Sequence, residues 1–546
     1  MKKNSLKNGI QGQSIRWLLS QYKPHRWQIA GLIILQCIVS LLGVVTVVVN
    51  KHLVDRATAD KDLIWGIVIM LSATAMTVLI NLFVQMWTIT FQEKSSFSIR
   101  TEVYGKLLRA RMQKLRCFHS EDVLTRLTSD IEQVSSGMLH IMVTGAGTIV
   151  KLVSAFVLLF YYDARLALAV TAIAPIGVGI FLLLSGKMRS IQENYQKSEG
   201  AYRVFLQENL RNMEVVKAFS GESASEERLL ALRDERMRWA VKKRTMQIVT
   251  RMVISVTFTM GTTLAFLAGV LQIADGSITF GTMTAFLSLV GQVQTPVLSL
   301  GEMAKRFITV LASVPRIQEV ENLEKDEMAI PAAVGSAAVR GEGIAFAYDK
   351  ENILRDISFT VAPGQIVAVT GQSGAGKTTL IKLLLGFTTP SAGKLVLQTE
   401  TGEIPVSAAT RKYFSYVPQG NTLFHGTIRE NLQMAAPNGG DAALWEALEM
   451  ACAKDFVEKL PDGLDTMLGE QSSGISEGQA QRIAIARAML RSAPVVIFDE
   501  ATSALDEETE GRILENISKK ENHGAYIIIT HRQKALEYCT DQIIIE

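Results

Sequence analysis

The residues best suited to chemistry form an eight-residue run, 371–378, which reads Gly-Gln-Ser-Gly-Ala-Gly-Lys-Thr. It matches the pattern G-x-x-x-x-G-K-[ST] and stands between a strand-like apolar run, 366–370, and a helical pattern, 378–385. Glycines at these positions let backbone N–H groups curl around phosphate oxygens at the start of a helix. Lys377 would reach the outer phosphates of a nucleotide, and the Thr378 hydroxyl would bind Mg²⁺. The run therefore predicts a site for a nucleoside triphosphate and magnesium.

Two carboxylates follow a second strand-like apolar run, 495–498. Asp499, at the end of this strand, is placed to hold the magnesium shell, and Glu500 is then free to polarise an attacking water. His531 follows a third strand pattern, 526–530, where its imidazole can hydrogen-bond a γ-phosphate. Two acids after an apolar run are by themselves more typical of a strand end, and a lone histidine there is more often structural. Beside a phosphate-binding run, however, these residues predict a hydrolytic phosphoryl-transfer site.

The composition indicates that the chain is associated with a membrane. Of its 546 residues, 48% are hydrophobic and 20% are charged, whereas a typical soluble domain has about 25% charged residues. The formal net charge of +3 is too small to suggest nucleic acid as a partner. The four cysteines are scattered without a C-x-x-C pair, which argues against a disulfide framework or a zinc site.

Six apolar stretches predict six membrane-spanning helices, because about 20 apolar residues cross the hydrocarbon core. They cover 27–49, 63–91, 141–162, 166–184, 252–273 and 283–300. The alternative, a soluble protein, would need six long apolar helices in one core. Lys151, in the third stretch, would be unfavourable in lipid, so we expect it to face protein or a water-filled cavity. It belongs either to a site for a polar group or to a structural pair.

Lysine and arginine are distributed unevenly around these stretches. Twenty-eight of them lie in the segments 1–26, 88–140 and 186–251, and four lie in the connections on the other side. The positive-inside rule therefore predicts that both termini and both long connections face the cytoplasm. Apolar residues recur in the long connections at spacings of three and four, which predicts amphipathic helices that extend beyond the bilayer.

The composition changes after residue 330. A run of small residues, 331–338, is typical of a linker, and beyond it strand patterns alternate with helical ones. This alternation predicts a mainly parallel sheet with crossover helices. We therefore predict a multidomain chain, in which an all-α membrane domain precedes an α/β domain with a P-loop. The predicted bounds are 1–322 for the membrane domain, 323–338 for the linker and 339–546 for the nucleotide-binding domain.

The motifs and their order resemble the ATP-binding cassette (ABC) transporters, specifically exporter half-transporters with six helices and one cassette, over about residues 15–546. Further segments are similar to the family's Q-loop region (417–419 and 427–431), signature (475–479), D-loop (503–506) and adenine-stacking aromatic residue (Tyr348). In the membrane half, 118–127 and 214–219 resemble the segments where the family's cytoplasmic helix pairs end. The coupling helices would then lie near 117–120 and 208–213.

The resemblance implies a set of site residues. It implies that Glu500, His531 and Gln419 act in ATP hydrolysis. It also implies that Thr378, Gln419 and Asp499 bind Mg²⁺. The residues implied to contact ATP are Tyr348, Gly371, Gln372, Ser373, Gly374, Ala375, Gly376, Lys377, Thr378, Thr379, Gln419, Ser476, Glu477, Gly478, Gln479 and Asp506.

The chain departs from the family pattern in two places. The signature usually reads Leu-Ser-Gly-Gly-Gln, but residues 475–479 read Ile-Ser-Glu-Gly-Gln. The Ser476 hydroxyl and the backbone donors are retained, whereas the Glu477 carboxylate should repel a triphosphate unless it points away or is paired. The signature is then either a working variant or a weakened site in a mixed pair. The sequence also ends soon after the strand pattern 542–545, where the family usually continues.

One chain has one phosphate loop and one signature, and in this family's arrangement they lie too far apart to share a nucleotide. The resemblance therefore implies a second half-transporter, arranged head to tail, with two Mg-ATP between the cassettes. We expect an ATP-driven homodimeric exporter that moves an amphipathic substrate, such as a lipid, drug or peptide, out of the cytoplasm by alternating access. It would lie among the lipids of a bacterial inner membrane, with a cytoplasmic cassette.

Two alternatives remain open from the sequence. The chain could be one subunit of a heterodimeric exporter with one weakened ATP site, as the altered signature suggests. It could also be an ATP-gated or regulatory membrane protein that does not pump. The predicted hydrolytic residues Glu500 and His531 argue against the second alternative, because a gate need not hydrolyse ATP quickly.

Overall fold

The computed structural model describes residues 2–59, 62–327, 335–348, 351–372, 374–400, 402–420, 422–469, 474–519 and 524–545. The chain divides into two compact units. The first, here the helical unit, comprises Met1–Tyr104 and Leu124–Glu319; the second, the sheet unit, comprises Gly105–Val123 and Val320–Glu546. The predicted ATP contact Ser373 and the linker residues 328–334 lie outside the described residues. The domain boundaries drawn from the sequence stay a prediction.

Long helices dominate the first 321 residues. They are α1 (Lys2–Tyr22), α2 (Arg26–Thr58), α3 (Ile64–Leu108), α4 (Met112–Leu115), α5 (Ser120–Thr125), α6 (Ile131–Leu139), α7 (Gly145–Tyr162), α8 (Ala164–Arg211), α9 (Met213–Ala218), α10 (Glu222–Ala274) and α11 (Phe280–Glu321). A 3₁₀ turn, Lys23–His25, joins α1 to α2, and π-helical turns, Arg126–Asp130 and His140–Thr144, flank α6. The 53 residues of α10 would extend about 80 Å, well beyond the roughly 30 Å of the hydrocarbon core. The long connections are therefore helical, as predicted.

Five continuous helical segments in the described part of the chain are long and apolar enough to cross a membrane. They are Gly12–Thr58, Ile64–Leu108, Ser120–Tyr162, Glu222–Ala274 and Phe280–Glu321, and they contain five of the six predicted spans. The fourth predicted span, 166–184, lies in α8, where most of its side chains are outside the described residues. On α3, Leu71, Leu79 and Met86 are more than half exposed, which suits contact with lipid chains.

Polar groups near the ends of the spans are paired. The Gln272 side chain donates to Asp163 Oδ2 at 2.7 Å, and the backbone N–H of Gly281 donates to Asp55 Oδ1 at 2.9 Å. Lys151 lies on α7 and is half-buried. Among the described residues, its ammonium group has no hydrogen-bonding or ion-pair partner. Lys151 therefore stays a candidate for contact with a polar group of a ligand or partner.

The sheet unit is built on a five-stranded parallel sheet in the order β11-β3-β10-β9-β6. A four-stranded antiparallel sheet, β2-β1-β4-β5, accompanies it and was not predicted. The strands are β1 (Ala337–Tyr348), β2 (Glu351–Val361), β3 (Ile366–Gly371), β4 (Ala392–Thr399), β5 (Gly402–Pro405), β6 (Phe414–Val417), β7 (Gly426–Thr427), β8 (Met467–Leu468), β9 (Val495–Asp499), β10 (Ala525–Ile529) and β11 (Asp541–Ile545). Every residue of β9 and β10 is buried, because one face of the parallel sheet packs against the antiparallel sheet and the other face packs against helices.

After residue 335, the described part of the sheet unit contains seven α-helices, α12 (Lys377–Leu384), α13 (Ile428–Gln433), α14 (Asp441–Met450), α15 (Lys454–Glu458), α16 (Glu477–Leu490), α17 (Glu507–Ser518) and α18 (Gln533–Leu536), and two 3₁₀ turns, Ala408–Tyr413 and Gly463–Asp465. The carboxyl ends of β3, β9 and β10 meet at one edge of the parallel sheet. Ligands of open α/β sheets bind at this edge, so the topology brings the predicted phosphate loop, the two carboxylates and His531 to one place.

The segment Gly105–Val123 belongs to the sheet unit although it lies more than 190 residues before the rest of it. Its backbone pairs with residues that follow α11: the Arg111 N–H donates to the Glu324 carbonyl, and the Asp326 N–H donates to the Arg109 carbonyl, both at 2.8 Å. The Lys106 ammonium also pairs with Glu321 at 2.5 Å. The first predicted coupling segment, 117–120, lies here, and its coupling role stays a prediction.

Candidate functional site

The phosphate loop connects β3 to α12. Gly376 is the residue before the helix and has a φ of 104°, a left-handed conformation that residues with a Cβ avoid. A Cβ on Gly376 would also lie 2.8 Å from side-chain atoms of Ile353 and Leu354. The loop therefore needs glycine at this position to begin its helix.

Lys377 is buried inside this loop. Its ammonium group donates to the Gly371 carbonyl at 2.7 Å and to the Gln372 carbonyl at 3.1 Å. Thr378 is exposed at the first turn of α12, whereas Thr379 is buried beneath it. The predicted ATP contacts of this loop that the structure describes are Gly371, Gln372, Gly374, Ala375, Gly376, Lys377, Thr378 and Thr379.

The two carbonyl partners of the Lys377 ammonium show where it would bind phosphate. Phosphate oxygens are stronger acceptors than carbonyl oxygens, so they could replace both partners.

Asp499 ends β9 and is only 5% exposed. The Tyr416 hydroxyl, on the neighbouring strand β6, donates to its Oδ2 at 3.1 Å. Burial chiefly, and then the charge of Glu500, raise the pKa of Asp499, while the Tyr416 hydrogen bond and nearby lysines oppose the rise. A buried carboxylate with a raised pKa gains from a cation beside it.

Glu500 adopts a φ of 48°, a left-handed conformation that is unusual for a residue with a side chain. Such strain is retained mainly where function requires a particular side-chain direction. The Gln419 amide donates to Glu500 Oε2 at 2.6 Å, and His531 Nε2 lies 3.7 Å from Glu500 Oε1. The three residues predicted to act in hydrolysis therefore lie together.

The predicted metal ligands are of the kind that Mg²⁺ prefers. Thr378 offers a hydroxyl oxygen and Asp499 offers Oδ1, since Tyr416 occupies Oδ2. Gln419 offers its amide oxygen, because the amide nitrogen is the atom bonded to Glu500. Within the described ranges, no group of three or more His, Cys, Asp or Glu residues could hold a metal ion. Thr378, Asp499 and Gln419 would suit a magnesium ion, with phosphate and water oxygens as its further ligands.

The signature segment begins α16. The Ser476 hydroxyl accepts from the Gln479 N–H at 3.3 Å, and the Gln479 side chain accepts from the Ser476 N–H at 2.9 Å, which makes a capping box. Glu477 is exposed on the first turn, and among the described residues its carboxylate has no ion-pair partner. A Cβ on Gly478 would lie 2.8 Å from the Ala504 carbonyl oxygen. The signature therefore packs closely on the D-loop, with its carboxylate towards solvent.

Asp506, predicted to contact ATP, is the N-cap of α17. Its carboxylate accepts from the Thr509 N–H at 2.8 Å and from the Thr509 hydroxyl at 2.9 Å. These hydrogen bonds hold the pKa of Asp506 below its ordinary value. In this arrangement, the Asp506 carboxylate fixes the end of the D-loop to the first turn of α17.

Tyr348 ends β1, with 39% of its surface exposed. Its ring packs edge-on against Phe346, with 4.8 Å between the ring centroids, and its hydroxyl accepts from Arg116 at 3.4 Å. An exposed aromatic face held in this way is suited to stacking on a planar base.

Three residues outside the predicted set of catalytic, ATP-binding and metal-binding residues hold parts of the site in place. Tyr416 holds Asp499, while the Gln481 amide bridges to Ser503 and to the Ala504 N–H. Arg532 donates to the carbonyls of Ser503 and Leu505, both at 2.7 Å, and pairs with buried Glu510. Tyr416 is close in sequence to Gln419, Gln481 follows the signature, and Arg532 follows His531. This closeness to predicted site residues was the available sequence signal, because neighbours of functional residues often orient them.

Comparisons with known proteins agree with this architecture. A family model described as the ABC transporter transmembrane region matches residues 28–297, and one described as ABC transporter matches residues 354–503. The predicted fold class, a helical membrane domain followed by a P-loop domain of ABC type, is confirmed.

Several relatives match over most of the chain. An ATP-dependent lipid A-core flippase of Photorhabdus laumondii is 30% identical over 429 residues, covering 78% of this chain and 74% of the relative. One from Acinetobacter baylyi is 29% identical and covers 97% of this chain and 93% of the relative. An uncharacterised ABC transporter ATP-binding protein of Bacillus subtilis is 27% identical, covering 96% and 88%.

A solved structure has the same fold. It is a bacterial Atm1-family ABC exporter with ATP bound, with a TM-score of 0.79 and 24% identity. The match covers 95% of this chain and 93% of that chain.

Proposed function

This chain belongs to the ABC transporter family, as an integral membrane exporter half-transporter that couples ATP hydrolysis to transport, and on that basis we propose that two copies form a homodimeric exporter. In this proposal, two Mg-ATP bind between the cassettes, each held by the phosphate loop of one chain and the signature of the other. Closure of the cassettes turns the membrane cavity outward, and hydrolysis reopens it.

The observation that carries the hydrolytic half of the proposal is the cluster around Glu500. Its carboxylate accepts from Gln419 at 2.6 Å and lies 3.7 Å from His531 Nε2, at the sheet edge where the phosphate loop begins. Glu500 would polarise the attacking water, Gln419 would fix the direction of its carboxylate, and His531 would donate to the γ-phosphate. Thr378, Asp499 and Gln419 would hold Mg²⁺, which would neutralise part of the phosphate charge.

The remaining predicted contacts have defined positions in this scheme. Lys377 would exchange its carbonyl partners for phosphate oxygens, and the exposed ring of Tyr348 would stack on adenine. Ser476 can still donate its hydroxyl proton, because its oxygen is the acceptor in the capping box.

The substrate that we propose is an amphipathic molecule with a lipid-like apolar part. Two of the relatives above are flippases of lipid A-core, and apolar residues dominate the spans of this chain. Half-buried Lys151, with no partner among the described side chains, would suit an acidic headgroup. We place the protein in a bacterial inner membrane, with the cassette and both termini cytoplasmic.

Glu477 favours a second candidate, one subunit of a heterodimer with a weakened site. Its carboxylate is exposed on the helix turn that would face the phosphates of the partner chain's ATP. Like charges at such a distance repel, and the described residues around it supply no cation.

Mg-ATP hydrolysis by the purified chain alone, in lipid nanodiscs, separates these candidates. A homodimer should hydrolyse ATP, and Glu500→Gln should lower the rate at least about 100-fold while ATP binding is retained. Gln542→Ala, an exposed amide on β11, is the control and should leave the rate unchanged. A folded chain that binds ATP without hydrolysing it would contradict the homodimer and favour the mixed pair.

A further inference from the structure

Tyr416 and Asp499 lie on neighbouring parallel strands. Tyr416 on β6 is in register with Ile497 on β9, so its side chain shares a face of the sheet with Ile497 and, two residues on, with Asp499. The phenol is long enough to reach this diagonal neighbour, and its oxygen lies 3.1 Å from Asp499 Oδ2. A tyrosine at this register can therefore fix the orientation of the Asp499 side chain at the end of β9.

The direction of this hydrogen bond follows from the two groups. A tyrosine hydroxyl has an ordinary pKa of about 10, so it carries its proton at neutral pH. A carboxylate only accepts, and the phenol is therefore the donor. Oδ2 is committed to Tyr416, and among the described residues no donor occupies Oδ1.

The same strand end supports both acids of the site. Tyr416 bonds Asp499, and three residues further on Gln419 bonds Glu500. Two hydrogen bonds from one short segment thus fix two consecutive carboxylates with different proposed roles.

We propose that Tyr416 is a positioning residue of the magnesium site: by holding Oδ2 of Asp499, its hydroxyl directs Oδ1 towards the metal that accompanies ATP. This inference rests on the proposed role of Asp499 as a metal ligand. Groups that hydrogen-bond a metal-binding carboxylate from behind fix its orientation, and losing one typically weakens metal binding by about 10- to 100-fold.

Tyr416→Phe removes only the hydroxyl and keeps the ring in place. The test uses the full chain in nanodiscs with Glu500→Gln, so that ATP is not consumed, and Mn²⁺ as a paramagnetic substitute for Mg²⁺. Electron paramagnetic resonance then measures the Mn²⁺ affinity of the ATP-loaded protein. Tyr416→Phe should weaken it about tenfold, while ATP affinity in EDTA and the thermal unfolding midpoint stay unchanged.

Tyr526→Phe is the matched control. Tyr526 is a buried tyrosine on the adjacent strand β10, in register with Val496 and hence on the opposite face. Within the described part of the chain, its hydroxyl has no hydrogen-bonding partner. Its replacement should leave Mn²⁺ affinity as it is.

Asp499→Asn separates failure of this inference from failure of the proposed function. If Asp499→Asn weakens Mn²⁺ binding and Tyr416→Phe does not, the role of Tyr416 is overturned and that of Asp499 stands. If neither substitution has an effect, the proposed metal site itself is wrong. Tyr416→Phe should also add less than about twofold in the Asp499→Asn background, because it acts through that carboxylate. An equal effect in both backgrounds would likewise overturn the inference.

Discussion

Gln419 Nε2 donates to Glu500 Oε2 at 2.6 Å, and this bond joins the segment that follows β6 to the carboxylate that follows β9. Among the described residues, the amide oxygen of Gln419 has no hydrogen-bonding partner, so in the proposed site this one side chain would contact both Glu500 and the metal. The strained backbone of Glu500, with φ of 48°, is consistent with a carboxylate whose direction matters.

Gln419→Ala should lower kcat for ATP hydrolysis by about 10- to 100-fold, because Glu500 loses the donor that orients it. The affinity for ATP in EDTA should change little, since the phosphate loop and Tyr348 are intact. Steady-state hydrolysis and binding of a fluorescent ATP analogue measure the two effects. A loss of ATP affinity equal to the loss of kcat would show that Gln419 acts in binding rather than in orientation.

Glu477→Gln removes the signature carboxylate's charge and keeps its size. If the signature faces a triphosphate, removing about 1 kcal/mol of repulsion should tighten ATP binding about fivefold. Titrating hydrolysis against ATP concentration gives the change. Glu507→Gln, also an exposed acid in the first turn of a helix, controls for the effect of charge on the helix and should leave ATP affinity unchanged. No difference between the two variants would mean that Glu477 points away from the nucleotide.

Arg532→Ala should destabilise the sheet unit by about 3 kcal/mol, because it leaves Glu510, which is 1% exposed, without its cation. It also removes the donors to the carbonyls of Ser503 and Leu505. Lys534→Ala on α18 is the control, since its pair with Glu507 is exposed and should contribute less than about 1 kcal/mol. Thermal unfolding of the two variants compares them, and equal midpoints would contradict a structural role for the Arg532–Glu510 pair.

The helical unit should respond to acid through Glu199. Hydrogen bonds from Arg236 first, and then from Arg203 and Tyr195, lower the pKa of Glu199 from 4.5 to about 2. A lowered pKa in the folded state stabilises the fold above the unfolded pKa, near 4.5, and this stabilisation is lost as the pH falls towards 2. Glu199→Gln should therefore lower the unfolding midpoint at pH 7 and do so much less at pH 3.

Glu193→Gln provides the comparison for that experiment. Glu193 lies on the same helix and pairs with Arg189 at 3.0 Å, but both side chains are more than half exposed. Its replacement should change the midpoint little at either pH. If the two variants behave alike, the bonds between Glu199 on α8 and Arg236 on α10 do not stabilise the pair of helices.

The sequence predicted the parts of this protein whose signals are local. The glycine-rich loop, the apolar runs of β9 and β10 and the spans are each written in one continuous segment, so periodicity and motif were sufficient. The antiparallel sheet was missed, because pairing of β1 with β4 depends on residues about 50 positions apart. In β1, the two-residue alternation of buried positions is also interrupted by a bulge between Glu342 and Ala345.

Contacts within the site were harder to predict than its members. Nothing in the types of Tyr416 and Asp499 indicates that they touch, because their contact depends on the register between β6 and β9. The capping box at Ser476 and Gln479 could have been predicted, since S-x-x-Q before a helical pattern is its usual signature. The contacts of Arg532 could not be predicted from the sequence, because they depend on where the fold places the carbonyls of Ser503 and Leu505.

The sheet unit is assembled from two stretches that are far apart in the sequence, and this affects the timing of its folding. The ribosome completes the segment Gly105–Val123 almost 200 residues before it reaches Val320. At about 5 to 20 residues per second, the backbone groups of Arg109 and Arg111 then wait roughly 10 to 40 s for Glu324 and Asp326. Over that interval, this stretch of the nascent chain is accessible to chaperones and proteases, while the helices around it are being inserted into the bilayer. Membrane insertion and cassette folding are therefore linked in time by the backbone groups of Arg109 and Arg111 on one side and a short run after α11 on the other.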